Sequence, residues 1–265
     1  MKWGIGVLAA FAVLAVTAPL FIGADQLDVV RVDGPRLAPP SLDYPLGTDL
    51  AGRSILALVI WGSRESLAIG VIATVLTVLV GTAVGLVAGH YQGRLGQALM
   101  HVTDWFIALP SLPLAISLSA VLGQGAASIT IAIAVTSWTA TARLVRAQTL
   151  AVEARPYIER ARALGAGDRQ VMVRHVLPNV LPLVLVSSTL TIASAILSEA
   201  TLTFLGLGDP TSVTWGSMLQ TAFSGGAVTA GAWWYLMPPG IAILLVVLGF
   251  TLIGRAVESR MVTHA

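Results

Sequence analysis

Apolar positions in this chain come in long unbroken runs, without the alternation of a half-buried strand or the stripe of a surface helix. Six stretches approach or exceed the roughly 20 residues a helix needs to cross a hydrocarbon layer. They are Trp3–Gly23, Leu67–Gly89, Trp105–Leu122, Ile129–Leu144, Val180–Leu207 and Leu236–Gly254. Barrel strands would alternate, and without water to satisfy the backbone the remaining choice is helices. The pattern predicts an all-α integral membrane protein with about six transmembrane helices. The first run follows Lys2 and ends in FIGA, features that a signal peptide shares. It is longer than the usual signal-peptide core and more spans follow, so it reads as an uncleaved anchor.

Between the runs, the segment Ala24–Arg64 is broken by Pro35, Pro39, Pro40 and Pro45. Its second half, GRSILALVIWGSRESL, is apolar between Arg53 and Arg64. That predicts an amphipathic helix lying along the interface before the second span turns inward. The resulting division is residues 1–66 (first span, outer segment, interfacial helix) and 67–257 (the main transmembrane domain), with a polar loop at 148–178. Trp215, Trp233, Trp234 and Tyr235 cluster in the loop Gly208–Tyr235, where a headgroup-level aromatic belt is the expectation. Pro110 and Pro113 predict a bend in the third span.

Composition sharpens this picture. Only 11% of the 265 residues are charged, against about 25% in soluble domains, and the mean hydropathy is +0.85. The chain lacks cysteine, which excludes thiol chemistry, and its net charge of +2 is too small to suggest nucleic acid. The placement of the charges is more informative than their sum. With a cytoplasmic N-terminus, the inner segments hold Lys2, Arg94, Arg143, Arg146, Arg155, Arg160, Arg162, Arg169, Arg174, Arg255 and Arg260. The outer side holds Arg31, Arg36, Arg53 and Arg64, so the positive-inside rule puts both termini inside.

The densest charge lies between Arg143 and Arg174, with seven arginines against Glu153, Glu159 and Asp168. At about 2.5–3.5 kcal/mol per buried arginine, that stretch belongs in water. Pro156 suits the first turn of a short helix, and Gly165 can end it with a positive φ. Asp168 is expected to cap a second helix that stops before Pro178. Ile158, Ala161, Leu164 and Gly165 share one face of the first helix, leaving Glu159, Arg160 and Arg162 to the others. Two readings stay open on the residues alone: a plug for another protein's socket, or a solvated loop beside lipid headgroups.

The stretch resembles the EAA loop of ABC importer permeases. Glu159, Arg160 and Ala161 stand for the Glu-Ala-Ala triplet, followed by Gly165 and then by His175, Leu177 and Pro178. Arg160 departs at the middle position and His175 stands where Ile is common, while the ending RHVLPN is similar to the peptide-importer branch. YPLGTDLAGRSIL, GHYQGRLGQALMHVTDWFIALP, WTATARLVRAQTL, SEATLTFLGLG and WGSML look like successive blocks of the C-type permease subunit of dipeptide and oligopeptide importers. The tail GRAVESRMVTHA departs from the family's usual ending.

This resemblance implies a type I importer fold. Glu159, Ala161, Leu164, Gly165, Asp168, His175, Leu177 and Pro178 would dock on a cytoplasmic ATPase. The implied partners are a homologous second permease, two ATPase subunits and an extracytoplasmic substrate-binding protein. ATP and Mg²⁺ would belong to the ATPases and no cofactor to this chain. In agreement, no G-x-x-x-x-G-K-[ST] phosphate loop is present, so a non-catalytic permease is expected. Related systems carry dipeptides, longer peptides, nickel chelates or haem.

Among the remaining polar residues, Glu199 lies within the fifth span and is a candidate for the translocation path or its gate, or for a structural role satisfied by hydroxyls. Asp104, beside His101 and Trp105, is a second and weaker pathway candidate, with Arg143 and Arg146 as possible partners. His90, His101, His175 and His264 show no metal spacing. Ser187, Ser188, Ser194 and Ser198 suit helix packing. An ion-coupled secondary transporter is the rival reading, but one deep acid and no internal repeat offer it little. A non-transporting scaffold would leave the ordered blocks unexplained.

Overall fold

The computed structural model describes residues 2–23, 27–29 and 31–263, with side chains as far as 259. Ala24, the Arg260 side chain and His264 lie outside the described residues. Among the described residues there are ten α-helices and no strand: α1 Lys2–Phe21, α2 Ile55–His90, α3 Arg94–Ala108, α4 Ser111–Leu122, α5 Ala126–Glu153, α6 Pro156–Ala163, α7 Asp168–Gln170, α8 Leu177–Phe204, α9 Trp215–Ser224 and α10 Trp233–Thr263. Five elements are long and apolar enough to cross a membrane, and the bent pair α3–α4 makes a sixth. The all-α multi-span expectation therefore holds.

The interfacial helix is not a separate element. Residues 55–66 are the first turns of α2, a 36-residue helix that at 1.5 Å per residue is roughly 54 Å long and overshoots the hydrocarbon layer. Ser54 starts it by accepting the Ala57 N–H on its side chain. With no breaker between Ile55 and the first deeply apolar residue, nothing in the chain can turn it.

The third span is broken where a bend was expected. α3 and α4 meet at 92°, with Leu109 and Pro110 both extended at the joint. A residue before proline is driven out of the helical region, and proline then starts the next helix.

α2 and α5 run parallel along a stripe of Gly81, Gly85 and Gly89. These face Trp138 and Thr141, then Ala142 and Val145, then Arg146 and Thr149. A Cβ on Gly85 would stand 2.4 Å from the Ala142 carbonyl oxygen and 2.7 Å from Val145 Cβ, so the backbones meet at a distance only glycine permits. Lipid offers no hydrophobic drive for helix pairing, so this close packing is what holds the pair. Because α2 and α5 point the same way, the α3–α4 pair between them must return to the opposite end of the molecule.

That opposite end carries a folded cap. Thr48 donates to the Pro35 carbonyl and accepts the Ala38 N–H. The buried Asp49 carboxylate accepts from the Ala51 and Arg53 amides and from Arg53 Nε at 2.8–2.9 Å. α9 begins at a Thr214–Ser217 capping box and packs beside this cap, with Met218 against Ile55 and Leu58 in one core. Trp215 and Tyr235 are fully buried there with Ile55, Leu58 and Met218, whereas Trp233 is exposed. The aromatic-belt expectation is thus corrected for two of its four residues. Trp215 is drawn inward because its indole donates to the Val59 carbonyl and its ring packs edge-on against Phe11.

Candidate functional site

At the other end, α6 and α7 form the charged hairpin. Arg155 is extended before Pro156, which occupies the first turn of α6. Gly165 has φ +90°; its N–H bonds to Arg162 O and that of Ala166 to Ala161 O. This is a Schellman motif, the helix stop expected from the glycine.

Two expectations for the hairpin are corrected. Asp168 does not cap α7: Gly167 is the cap residue and no side-chain cap bond forms. Nor does the second helix stop before Pro178. It continues through a π-helical turn, Val171–Val176, into α8. A proline lacks the N–H that the Arg174 carbonyl would need and its ring crowds that turn. Widening to π geometry relieves both, and Asn179 Nδ2 donates to the His175 carbonyl at 2.6 Å.

The proposed apolar face of α6 also divides. Ile158 is buried against Val152, Val171 and Val176, forming the hairpin's own core, while Leu164 at the tip is 89% exposed. Glu159, Gly165, Asp168 and Pro178 are exposed, and Ala161, His175 and Leu177 are half-buried. A shallow groove of about 550 Å³ runs along Gly167–Gln170, Val173 and Arg174. The hairpin's exposed residues thus include the apolar Leu164 and Val173 among the charged Glu159, Arg160, Arg169 and Arg174.

A buried ionic cluster beneath the hairpin escaped the sequence reading. His90 Nδ1 stands 2.5 Å from Glu153 Oε1, and Arg162 Nη2 donates to Glu153 Oε2 at 2.5 Å. His90 Nε2 lies 3.4 Å from Asp168 Oδ1. His90 and Glu153 are both buried. They are 63 residues apart in sequence, and no local spacing announces the pair.

Glu199 is fully buried in α8. Thr203 Oγ1 lies 3.4 Å from its Oε1 and Oε2 makes no hydrogen bond; Ser66 and Thr214 are its other hydroxyl neighbours. Ser66 accepts the Trp215 N–H, which leaves the Ser66 hydrogen available toward the carboxyl. Asp104 pairs with Arg143 at 2.6 Å, both side chains half-exposed. Arg146 is not its partner, and the buried Nε of Arg146 makes no hydrogen bond. A small pocket of about 90 Å³ opens at the α3–α4 break, with hydroxyls of Ser111, Thr136, Ser137 and Ser198 in its wall. In the loop after α8, the Thr211 hydroxyl and amide hold the Asp209 carboxyl below the usual aspartate range.

Comparison with known proteins agrees with this architecture. The family described as a binding-protein-dependent transport system inner membrane component matches residues 81–263. The chain is 41% identical over 232 residues to the di/tripeptide transport system permease protein DppC of Pseudomonas aeruginosa, covering 85% of this chain and 76% of that one. It is 40% identical over 223 residues to the glutathione transport system permease protein GsiD of Escherichia coli O6:K15:H31, covering 84% and 73%. A chain of the MetNI methionine ABC transporter, solved in inward-facing conformations, superposes with a TM-score of 0.61 at 20% identity, covering 77% of this chain and 97% of that one. That last likeness speaks to the fold alone.

Proposed function

The chain belongs to the family of binding-protein-dependent transport system inner membrane components, and from that premise we propose that it is a permease subunit of an ATP-driven peptide importer. In this reading it forms half of a translocation path beside a homologous permease. The hairpin 159–178 faces the cytoplasm and docks on an ATPase, which holds the ATP and Mg²⁺. Both termini lie on the hairpin side, and the cap around Asp49 and α9 receives a substrate-binding protein. The names of the similar di/tripeptide and glutathione permeases support a peptide cargo.

One observation carries the reading. Leu164 is held by the Schellman turn at the outermost point of the hairpin, with its side chain 89% exposed and uncovered by its own chain. An ordered apolar tip within a charged rim suits insertion into another protein's cleft. The hydroxyl-walled pocket at the α3–α4 break is the place where this subunit faces the path. Glu199, under α9, acts on the outer gate through the span rather than by touching cargo, and Asp104 holds the α3–α5 seam through Arg143.

Co-purification tests the docking. Wild type in mild detergent is expected to retain the ATPase, and Leu164→Asp to lose at least nine-tenths of it at unchanged membrane yield. Failure of wild type to retain any ATPase would overturn the reading. Leu164 is preferred to Gly165 for this test, because any side chain at φ +90° would strain the turn itself.

A further inference from the structure

We propose that the His90–Glu153–Arg162–Asp168 cluster, buried at His90 and Glu153, is a clamp that makes α2 move with the hairpin during the ATP cycle; this rests on the hairpin's being the ATPase contact. The hairpin is joined covalently to two spans only. α5 ends at Glu153, three residues before α6 begins, and α8 continues directly from the π turn. α2 has no such connection to it, being separated from the hairpin by α3, α4 and α5.

Beyond the packing of α2 on α5, what joins α2 to the hairpin itself is a floor and a clasp. The floor is apolar: Ile158, Val171 and Val176 of the hairpin pack with Val145, Val152 and Val180, and Val78 and Leu86 of α2 lie against them. Apolar packing is non-directional and by itself fixes no angle. The clasp is directional. His90, the last residue of α2, meets one oxygen of the Glu153 carboxylate, and Arg162 of α6 takes the other. The second nitrogen of the same imidazole faces Asp168, at the start of α7. One residue of α2 therefore contacts the end of α5 and the second limb of the hairpin, and reaches the first limb through Glu153.

Charge-assisted bonds are among the stronger polar contacts and fix angle as well as distance. The His90 and Glu153 side chains are only 2% and 6% exposed, so water screens their contact little. Arg162 and Asp168 are 44% and 61% exposed, so the clasp is anchored inside and reaches outward to the moving part. The Gly81/Gly85/Gly89 stripe then carries the coupling along the length of α2 and α5. His90, Glu153 and Arg162 are positioning residues for coupling and contact neither nucleotide nor cargo.

The test uses the full complex, with spin labels on Gln92→Cys at the foot of α2 and Ala163→Cys on α6. The chain has no cysteine of its own to compete. Distances are read by pulsed electron paramagnetic resonance without nucleotide and after trapping with Mg-ATP and vanadate. With the clamp intact, the distribution should be narrow and unchanged by trapping. In Glu153→Gln and Arg162→Gln it should at least double in width on trapping while the ATPase stays bound. The double variant should be no worse than either single one, and Arg162→Lys should restore the narrow distribution. Equal widths in wild type and the Gln variants would overturn the clamp, as would equal broadening with and without nucleotide, which marks a static brace. Loss of the ATPase from the Gln variants alone would also overturn it, whereas absence of the ATPase from wild type would sink the docking reading beneath it.

Discussion

Single buried polar groups decide the shape of the cap. Asp49 is 1% exposed and has its carboxylate filled by two amides and the Arg53 guanidinium. Asp49→Ala removes those acceptors and leaves Arg53 with a side chain only 16% exposed and no counter-charge. The expected cost is about 3 kcal/mol, the lower end for a broken buried pair. It should be read as a lowered melting temperature in detergent, with Asp49→Asn intermediate. At this scale the sequence was only partly legible. Gly165 and Pro156 announce their conformations because their backbone preferences are intrinsic. The His90–Glu153 pair does not, since its members stand 63 residues apart and meet only where the chain returns; the Asp49–Arg53 clasp is local, i to i+4, but it forms in a loop that no helical or strand period announces. Asp168 illustrates the point: it carries the signature of an N-cap, yet its carboxylate lies toward His90 instead.

Between elements, the glycine stripe of α2 governs how the bundle is joined. Gly85→Val places a branched side chain where even a Cβ has no room against Ala142 and Val145. Overpacking of this kind costs about 2–3 kcal/mol. The expectation is a clearly lower melting temperature for Gly85→Val and none for Gly93→Ala, since Gly93 has nothing within 4 Å of a Cβ. Span existence was readable from apolar run length because lipid imposes it. Span ends were not. Ile129–Leu144 became the longer Ala126–Glu153, and Leu67–Gly89 became Ile55–His90, because helices run on into the cap and the hairpin until a breaker stops them. Likewise a proline pair marks the α3–α4 joint, but its 92° angle follows from two extended residues in succession.

For the molecule as a whole, the parallel α2 and α5 place the hairpin and the cap at opposite ends, and the proposed orientation, which follows the arginine distribution, puts the hairpin inside. Single cysteines test that assignment. Leu42→Cys on the cap should react with an impermeant maleimide in intact cells, and Val173→Cys on the hairpin only after permeabilisation. Both native residues are exposed, so the opposite pattern would invert the orientation. The polar hairpin was visible as a charge run, and its docking reading rested on the resemblance and on the small-residue face. Of the face read from the sequence, Ile158 is consumed by the hairpin's own core, and the proposed contact is centred on Leu164, which stays exposed.

The central claim is that this tip enters an ATPase. The most direct measurement is photo-crosslinking in the membrane from a single cysteine at Leu164→Cys carrying a benzophenone, with Leu42→Cys as the distal control. The account predicts that position 164 captures the ATPase subunit and position 42 does not. Crosslinks from position 164 to lipid or to other membrane proteins, with no ATPase adduct, would contradict it.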